Sequence, residues 1–425
     1  MNSNQLIEKI LKDGLNSRLL DIYVDDKLIN YQKKRYISAI KKFEELYSAG
    51  EVTLFSAPGR SEVIGNHTDH QHGRVLATAI NLDSIGVVRA TDDSVIRLVS
   101  DGYNEIVIDI DDILSNENEK GTTTALIKGV ISGFLDRGLK IGGFEAYVTS
   151  DVLIGAGLSS SAAFETLIGT ILSGLYNDMS VPANDIAVIG QHAENTYFGK
   201  PCGLMDQMAC SVGNLIYIDF ENIDKPLVEK IEFDMDKYGY SLCITDTQGS
   251  HADLTNEYAA VPEEMKLIAN HFGQKVLRGI TAQDILKDIE TLRSKYGDRS
   301  VLRTLHFLNE NERVLCAADA LKKGDFKAFL HNVKASGDSS FKYLQNVYLN
   351  SDIHNQNVSI ALAITETVLK ENGVCRVHGG GFAGTIQAFV KNTAVKEYKE
   401  SMEMLFGKGS CRDLRIRKYG GIQVV

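Results

Sequence analysis

Six cysteines in 425 residues (Cys202, Cys210, Cys243, Cys316, Cys375 and Cys411) lie scattered, and no Cys-x-x-Cys pair occurs among them. In a chain this long the pattern excludes a disulfide framework and reads as reduced core thiols. No apolar run approaches the roughly 18 residues of a membrane-spanning helix. The opening stretch "MNSNQLIEKILKDGLNSRLL" breaks its apolar pattern with charges, which excludes a signal peptide and predicts an amphipathic helix. Positive charge is also short: 45 Lys and Arg stand against 56 Asp and Glu, a net −11 at pH 7. A nucleic-acid partner, which calls for a basic face, is therefore not expected, and neither is a membrane. An anionic substrate would need a local positive site, because the overall field opposes it. There is no low-complexity tract and no internal repeat. What remains is ordinary for a cytoplasmic enzyme, 44% hydrophobic and 24% charged, at a length that calls for two domains.

Residues 1–50 carry apolar residues at helical spacing (Leu6, Ile10, Leu11; Ile37, Ile40, Phe43, Tyr47) and form a helical extension. Residues 51–110 are β-rich, with short β-branched runs such as "EVTLFSA", "SIGVVRA", "VIRLVS" and "EIVIDI". Helices are expected over 120–138, after the Gly-rich turn near 157, and over 183–197. Past residue 225 a strand "YGYSLCITDT" precedes helices around 255–271, 281–295, 299–321 and 353–372, and "VHGGGFAGTIQAFV" makes a Gly-rich turn into a strand. The boundaries are 1–50, 51–230 and 231–425.

Three stretches carry chemistry. In "IGAGLSSSAAFE" (154–165), glycines and serines sit where a strand gives way to a helix. Backbone N–H groups there can approach a phosphate at the positive end of the helix, although a plain serine cap with close packing gives the same pattern. No Gly-Lys-Ser/Thr follows, so this is not the common P-loop. In "HAENTYFGKPCGLMDQMAC" (192–210), Glu194 lies on a helix and Asp206 beyond the Pro–Cys–Gly turn. A kinase needs one carboxylate for a metal and one beside the attacking hydroxyl, while a solvated Glu and a capping Asp are the plain alternative. In "FSAPGRSEVIGNHTDHQHGRVLATAINLD" (55–83), a strand ends at "APGR", presenting Arg60, and a polar loop follows. His67, Asp69, His70 and His72 match no usual zinc spacing, which leaves a solvated loop or a pocket that reads hydroxyl groups.

Taken in order and spacing, "APGR…IGNHTDHQHGRVL", "GAGLSSSAA" and "HGGGFAGT" resemble the three signature segments of the GHMP small-molecule kinases, and within them the galactokinase family. "PCGLMDQ" is similar to the segment that supplies that family's catalytic aspartate, and "TQGSHADLTNEYAAV" to the one that supplies a sugar-contacting tyrosine, here Tyr258. The likeness runs from about residue 50 to the C-terminus. It implies an α+β fold of two domains, the first like ribosomal protein S5 and the second ferredoxin-like, with the site in the cleft between them. It also implies transfer of a phosphoryl group from MgATP to the anomeric hydroxyl of D-galactose; the oligomeric state is left open, with a monomer plausible.

Residue by residue, the resemblance makes Asp206 the base beside that hydroxyl and Arg60 its charged neighbour, which favours the ionised carboxylate. Gly155, Ala156, Gly157, Leu158, Ser159, Ser160 and Ser161 would cradle the phosphates. Ser161 and Glu194 would hold Mg²⁺, an all-oxygen site that suits a hard cation. Gly379, Gly380 and Gly381 would close the site from the second domain. Asp69 would accept hydrogen bonds from sugar hydroxyls, with Asn66, His67, Gly203 and Tyr258 completing the pocket. A mevalonate or homoserine kinase is argued against by the "HTD" loop and "CGLMDQ".

The chain departs from the family in the loop. Galactokinases usually read "GEHTDY" where this chain has "GNHTDH", and "GRVN" has become Gly59-Arg60-Ser61-Glu62. A C6 carboxylate facing a glutamate at ~4 Å would be repelled by ~4 kcal/mol at an effective dielectric of ~20. That is on the order of a thousandfold in affinity, and Asn66 removes it. The loop also resembles that of plant galacturonate kinases, so a uronic acid is the alternative substrate. A non-catalytic sugar sensor is the other alternative, against which the intact Arg60, Ser161, Glu194 and Asp206 speak.

Overall fold

A computed structural model describes residues 1–152, 157–249, 254–382 and 384–425. Two sheets organise them. The first is eight-stranded: β1 (Thr53–Ile64), β2 (Arg74–Ala90), β3 (Val95–Ser100), β4 (Ile106–Asp109), β5 (Phe144–Ser150), β6 (Leu215–Asp219), β7 (Leu227–Ile231) and, from the far end of the chain, β12 (Ile422–Gln423). The second is four-stranded, β8 (Tyr240–Asp246), β9 (Gly373–His378), β10 (Thr385–Lys391) and β11 (Cys411–Leu414), in the order β11-β8-β10-β9. With helices between β8 and β9 and one between β10 and β11, this is the βαββαβ arrangement of a ferredoxin-like fold.

The first sheet is buried on both faces. Side chains alternate along a strand. Leu54, Ile85 and Val87 therefore face helices α1 (Ser3–Leu11), α2 (Asn16–Tyr23) and α3 (Ile29–Tyr47), where they meet Leu6, Ile22, Tyr36 and Phe43. Phe55 and Val88 face α4 (Thr123–Leu135), α5 (Ser160–Tyr176) and α6 (Ala183–His192) on the other side. Residues 1–50 are thus the second cover of the sheet. They are pinned by charge: Asp83, with no exposure, is paired with Arg35 Nη1 at 2.6 Å and Arg417 Nη1 at 2.9 Å and accepts from the Tyr23 hydroxyl at 2.8 Å.

After α7 (Met205–Val212), helices α8 (Thr255–His271), α9 (Ala282–Lys287), α10 (Ile289–Tyr296), α11 (Asp298–Lys322), α12 (Phe326–Ser339), α13 (Asn357–Leu369) and α14 (Val395–Phe406) belong to the second half. α11 and α12 meet the β8 face of Leu242 and Ile244, while α13 and α14 meet Cys243, Ala388 and Val390 behind it.

Several expectations change. The polar loop does not start after Arg60: β1 runs on to Ile64, because residues 61–64 find partners on β2. "SIGVVRA" is the end of a 17-residue β2 that pairs with β1 along most of its length and, on its other edge, with β6 through its first half and β5 through its second. The helix over 281–295 breaks at Asp288. The change of sheet falls between Ile231 and Tyr240, but the last residues return to the first sheet, where Phe55 pairs with Gln423. The edge of β1 needs a partner, and the C-terminus supplies it.

Candidate active site

Arg60 sits at an irregularity in β1, where the pairing with β2 shifts between Pro58 and Arg60. A bulge re-aims a side chain, and here it turns the guanidinium out of the sheet. The freed backbone bonds to the neighbouring loop instead, with Arg60 N donating to Leu158 O at 3.1 Å. Arg60 Nε and Nη2 reach Asp206 Oδ1 and Oδ2, each at 2.7 Å, a bidentate clamp. Its Nη1 donates to Gly157 O and so ties the clamp to the Gly/Ser loop. Burial alone would raise the Asp206 carboxyl, but the Arg60 charge and hydrogen bonds, with the Ser159 hydroxyl, hold it below the ordinary range. Asp206 is about one third exposed, at the start of α7.

The loop and α5 bring the phosphate-side residues together. Gly157 has φ +66°, and a Cβ there would press on Thr385 Oγ1, so only glycine serves. Ser160 and Ser161 stand in the first turn of α5, whose N–H groups and dipole suit an anion. Ser161 Oγ donates to Glu194 Oε1 at 3.2 Å. Glu194 lies on a π-turn (Ala193–Phe198) that continues α6, rather than on the regular helix expected to residue 197. Such one-turn insertions often mark functional sites. Gly155 and Ala156 lie outside the described residues.

Four neighbours of this cluster left no sequence signal of their own. Lys200 Nζ lies 3.1 Å from Glu194 Oε1. Gln207 Nε2 bridges Glu194 Oε2 at 2.7 Å and Glu165 Oε2 at 3.1 Å. Burial, then the Glu194 charge, pushes the Glu165 carboxyl well above the ordinary carboxylate range. His378 bonds Ser61 Oγ at 3.1 Å and Thr385 Oγ1 at 2.9 Å, wholly buried beside Gly157, and its burial drives the imidazole to the neutral form.

On the opposite side of Asp206 is the loop 65–73. Asp69 Oδ1 accepts from His70 N at 2.9 Å, and Gly203 comes so close that a Cβ there would collide with Asp69 Oδ2. Burial pushes the Asp69 carboxyl up, with Asp206 and Glu62 adding to it and His67 opposing. His67 Nε2 meets Gly380 O at 2.9 Å, so that nitrogen carries the proton. Tyr258 donates to Gly381 O at 2.8 Å and packs edge-on against Phe382, ring centroids 5.4 Å apart. His70 is driven down to about 3 by burial and is neutral; His72 stands in a left-handed turn. Among the described residues no group of three or more His, Cys, Asp or Glu side chains is placed to hold a metal ion.

Asn66 is not open to the loop's outer side. It has no exposure, and its amide N–H groups go to Glu62 Oε1 at 3.1 Å and Gly379 O at 2.7 Å. Its Oδ1 accepts from Asn346 Nδ2 at 2.8 Å and Ser340 Oγ at 3.3 Å. Relative to the family's "GRVN…GEHTDY", amide and carboxylate have exchanged places: Glu62 stands where the asparagine was, and Asn66 where the glutamate was. The charge is kept, four residues earlier, and Glu62 Oε1 is neutralised by the buried Arg376 Nη2 at 2.8 Å. The sequence shows both changes but not that they touch.

The galactokinase galactose-binding signature matches residues 41–90, and the GHMP kinases N terminal domain matches residues 125–214. A galactokinase of Actinobacillus pleuropneumoniae is 32% identical over 373 residues, covering 85% of this chain and 91% of that relative. A galactokinase of Glaesserella parasuis serovar 5 is 31% identical over 84% of this chain and 90% of its own length. Among solved structures, Lactococcus lactis galactokinase complexed with galactose superposes with a TM-score of 0.77 at 24% identity, covering 90% of this chain and 98% of that one. A mevalonate kinase shares the fold more distantly, with a TM-score of 0.60 at 17% identity over 86% of this chain and 99% of its own. The chain belongs to the galactokinase family of the GHMP kinases.

Proposed function

We propose that this protein phosphorylates the anomeric hydroxyl of D-galactose with ATP. One observation carries the reading: a carboxylate held ionised by a bidentate arginine lies between a Gly/Ser loop opening a helix and a loop built to read hydroxyl groups. Asp206 accepts the hydrogen bond of the sugar's 1-hydroxyl and takes its proton as the oxygen bonds to the γ-phosphorus. The bond to the β,γ-bridging oxygen breaks, leaving ADP and galactose 1-phosphate. Arg60 offsets charge spreading over the transferred group. Gly157 to Ser161 receive the phosphates, and Asp69, His67, Gly203 and Tyr258 line the sugar.

Ser161 Oγ and Glu194 Oε1, 3.2 Å apart, are two oxygen donors that fit Mg²⁺ bound chiefly through phosphates. Bound there, Mg²⁺ would supply neutralisation of phosphate charge.

The uronate alternative depended on a lost charge and a free amide at position 66. Glu62 keeps the charge beside Asn66, and both amide N–H groups are engaged, so galactose is favoured. The assembled Arg60, Asp206, Ser161 and Glu194 favour an enzyme over a sensor. Among the described residues no helix is long and apolar enough to cross a membrane. We place the reaction in the cytoplasm, where ATP is supplied.

The test is ATP-dependent 1-phosphorylation of D-galactose and D-galacturonate in parallel at matched concentrations. Faster turnover of galactose is expected. Faster turnover of galacturonate would reverse the substrate assignment, and turnover of neither with retained sugar binding would return the sensor.

A further inference from the structure

The carbonyl oxygens of Gly379, Gly380 and Gly381 are all held by side chains. Asn66 Nδ2 donates to Gly379 O at 2.7 Å. His67 Nε2 at 2.9 Å and Asn346 Nδ2 at 3.1 Å share Gly380 O. Tyr258 holds Gly381 O at 2.8 Å. Asn346 Nδ2 also donates to Asn66 Oδ1 at 2.8 Å, which joins the holders to one another. Asn346 is wholly buried, and both partners of its Nδ2 are acceptors, which fixes the amide's orientation.

The chain has no cis peptide bonds. In a trans peptide the C=O of one residue and the N–H of the next point in opposite directions. Holding Gly379 O and Gly380 O therefore aims the N–H groups of Gly380 and Gly381 the other way. Among the described residues neither N–H has a hydrogen-bond partner, and Gly380 is exposed. Two successive backbone N–H groups with no partner make a concave anion site. The turn favours glycine: Gly379 and Gly381 have φ of +68° and +83°, a Cβ on Gly380 would meet the Tyr258 ring at 2.6 Å, and one on Gly381 would collide with Asn346 O.

We propose that Asn346 and Asn66 are positioning residues that couple the sugar site to the nucleotide site through this turn. The inference rests on the galactose kinase reading above. A sugar bound between His67 and Tyr258 fixes the imidazole that, with the two asparagines, orients the glycine N–H groups towards the nucleotide's phosphates, and the ring that packs on Gly380. The nucleotide then meets an ordered turn, and the cost of ordering it falls to the first ligand. Because coupling is reciprocal, the nucleotide must tighten the sugar by the same factor.

The experiment is calorimetric titration of a non-hydrolysable ATP analogue with and without saturating D-galactose, using the full chain. In the wild type galactose is expected to tighten the analogue by about fivefold or more. Asn346→Asp keeps the shape but sets an acceptor against Asn66 Oδ1 and Gly380 O, and Asn346→Ala removes the donor. In both, the ratio should fall close to one, while galactose alone binds as before and the thermal midpoint shows a folded protein. Asn346→Ser, which keeps one donor, should give an intermediate ratio and stands in if the other two do not fold. A wild-type ratio of one, or an undiminished ratio in the variants, overturns the proposal. Failure of the wild type to bind galactose at all would instead overturn the substrate assignment.

Discussion

Arg60 and Asp206, 146 positions apart in sequence, meet as a two-pronged pair with both nitrogen–oxygen distances at 2.7 Å. The pair sets a pH dependence. Asp206 works ionised, and Arg60 holds it below the ordinary carboxylate range, against the raising effect of burial. Activity governed by Asp206 is therefore lost only as pH falls through that depressed value. In Arg60→Met the opposing charge is gone, so the acid limb of kcat should move to higher pH by roughly 1–3 units. A pH–rate profile that loses amplitude without moving its acid limb would refute this role. Asp206→Asn should lower kcat by about 10²–10⁴-fold at every pH while the sugar still binds.

Glu62 and Asn66 make a reciprocal prediction. Asn66→Glu alone sets a second carboxylate where Asn66 Nδ2 now lies 3.1 Å from Glu62 Oε1, in a place without solvent. An uncompensated buried charge costs about 3–5 kcal/mol, so the variant should be strongly destabilised in a denaturant titration. The double exchange Glu62→Asn with Asn66→Glu restores the amide–carboxylate pair and should recover much of that loss. Equal instability of single and double variants would show that the two side chains do not act together.

Gly203 isolates the sugar side. A methyl group there displaces Asp69, whose Oδ2 occupies the space that a Cβ would need. Gly203→Ala should raise the KM for galactose about tenfold or more, as misplacement of a binding carboxylate does. The KM for ATP should hold, because the Gly/Ser loop is untouched. A parallel rise in both constants would mean that the substitution disturbs the whole cleft.

Asp83 tests the N-terminal helices. Burial raises its carboxyl, and Arg35 and Arg417 outweigh that and hold it below the ordinary value. A depressed folded pKa contributes stability that is present above the unfolded pKa and lost as pH falls through the folded one, so the pair contributes to acid unfolding. Asp83→Asn leaves the buried Arg417 without its carboxylate, and Arg35 with Asp151 alone at 3.1 Å, and should cost about 3–5 kcal/mol by urea titration at neutral pH. A change within experimental scatter would mean that residues 1–47 are held by their apolar faces alone.

Much of this protein is determined by its sequence locally. The Gly/Ser run before a helix, the turn ahead of Asp206 and the loop around Asp69 each have their chemistry written in adjacent residues, because a helix N-terminus and a tight turn need only a few neighbours. Of the second sheet, the residues show β8 and β10, while its ferredoxin-like arrangement is what the family resemblance implies. Tertiary structure decided what depends on distance in sequence. It extended β1 through residues 61–64, since strands take their limits from partners. It gave the first 50 residues their place, since a sheet with apolar side chains on both faces needs two covers. It also turned Asn66 from an open amide into the buried partner of Glu62, Gly379 and Asn346, and so removed the ground for an acidic substrate. A hydrogen bond between residues 280 positions apart leaves no pattern in the chain; only the packing of β1 against the 344–346 turn and the glycine segment brings its donor and acceptor together.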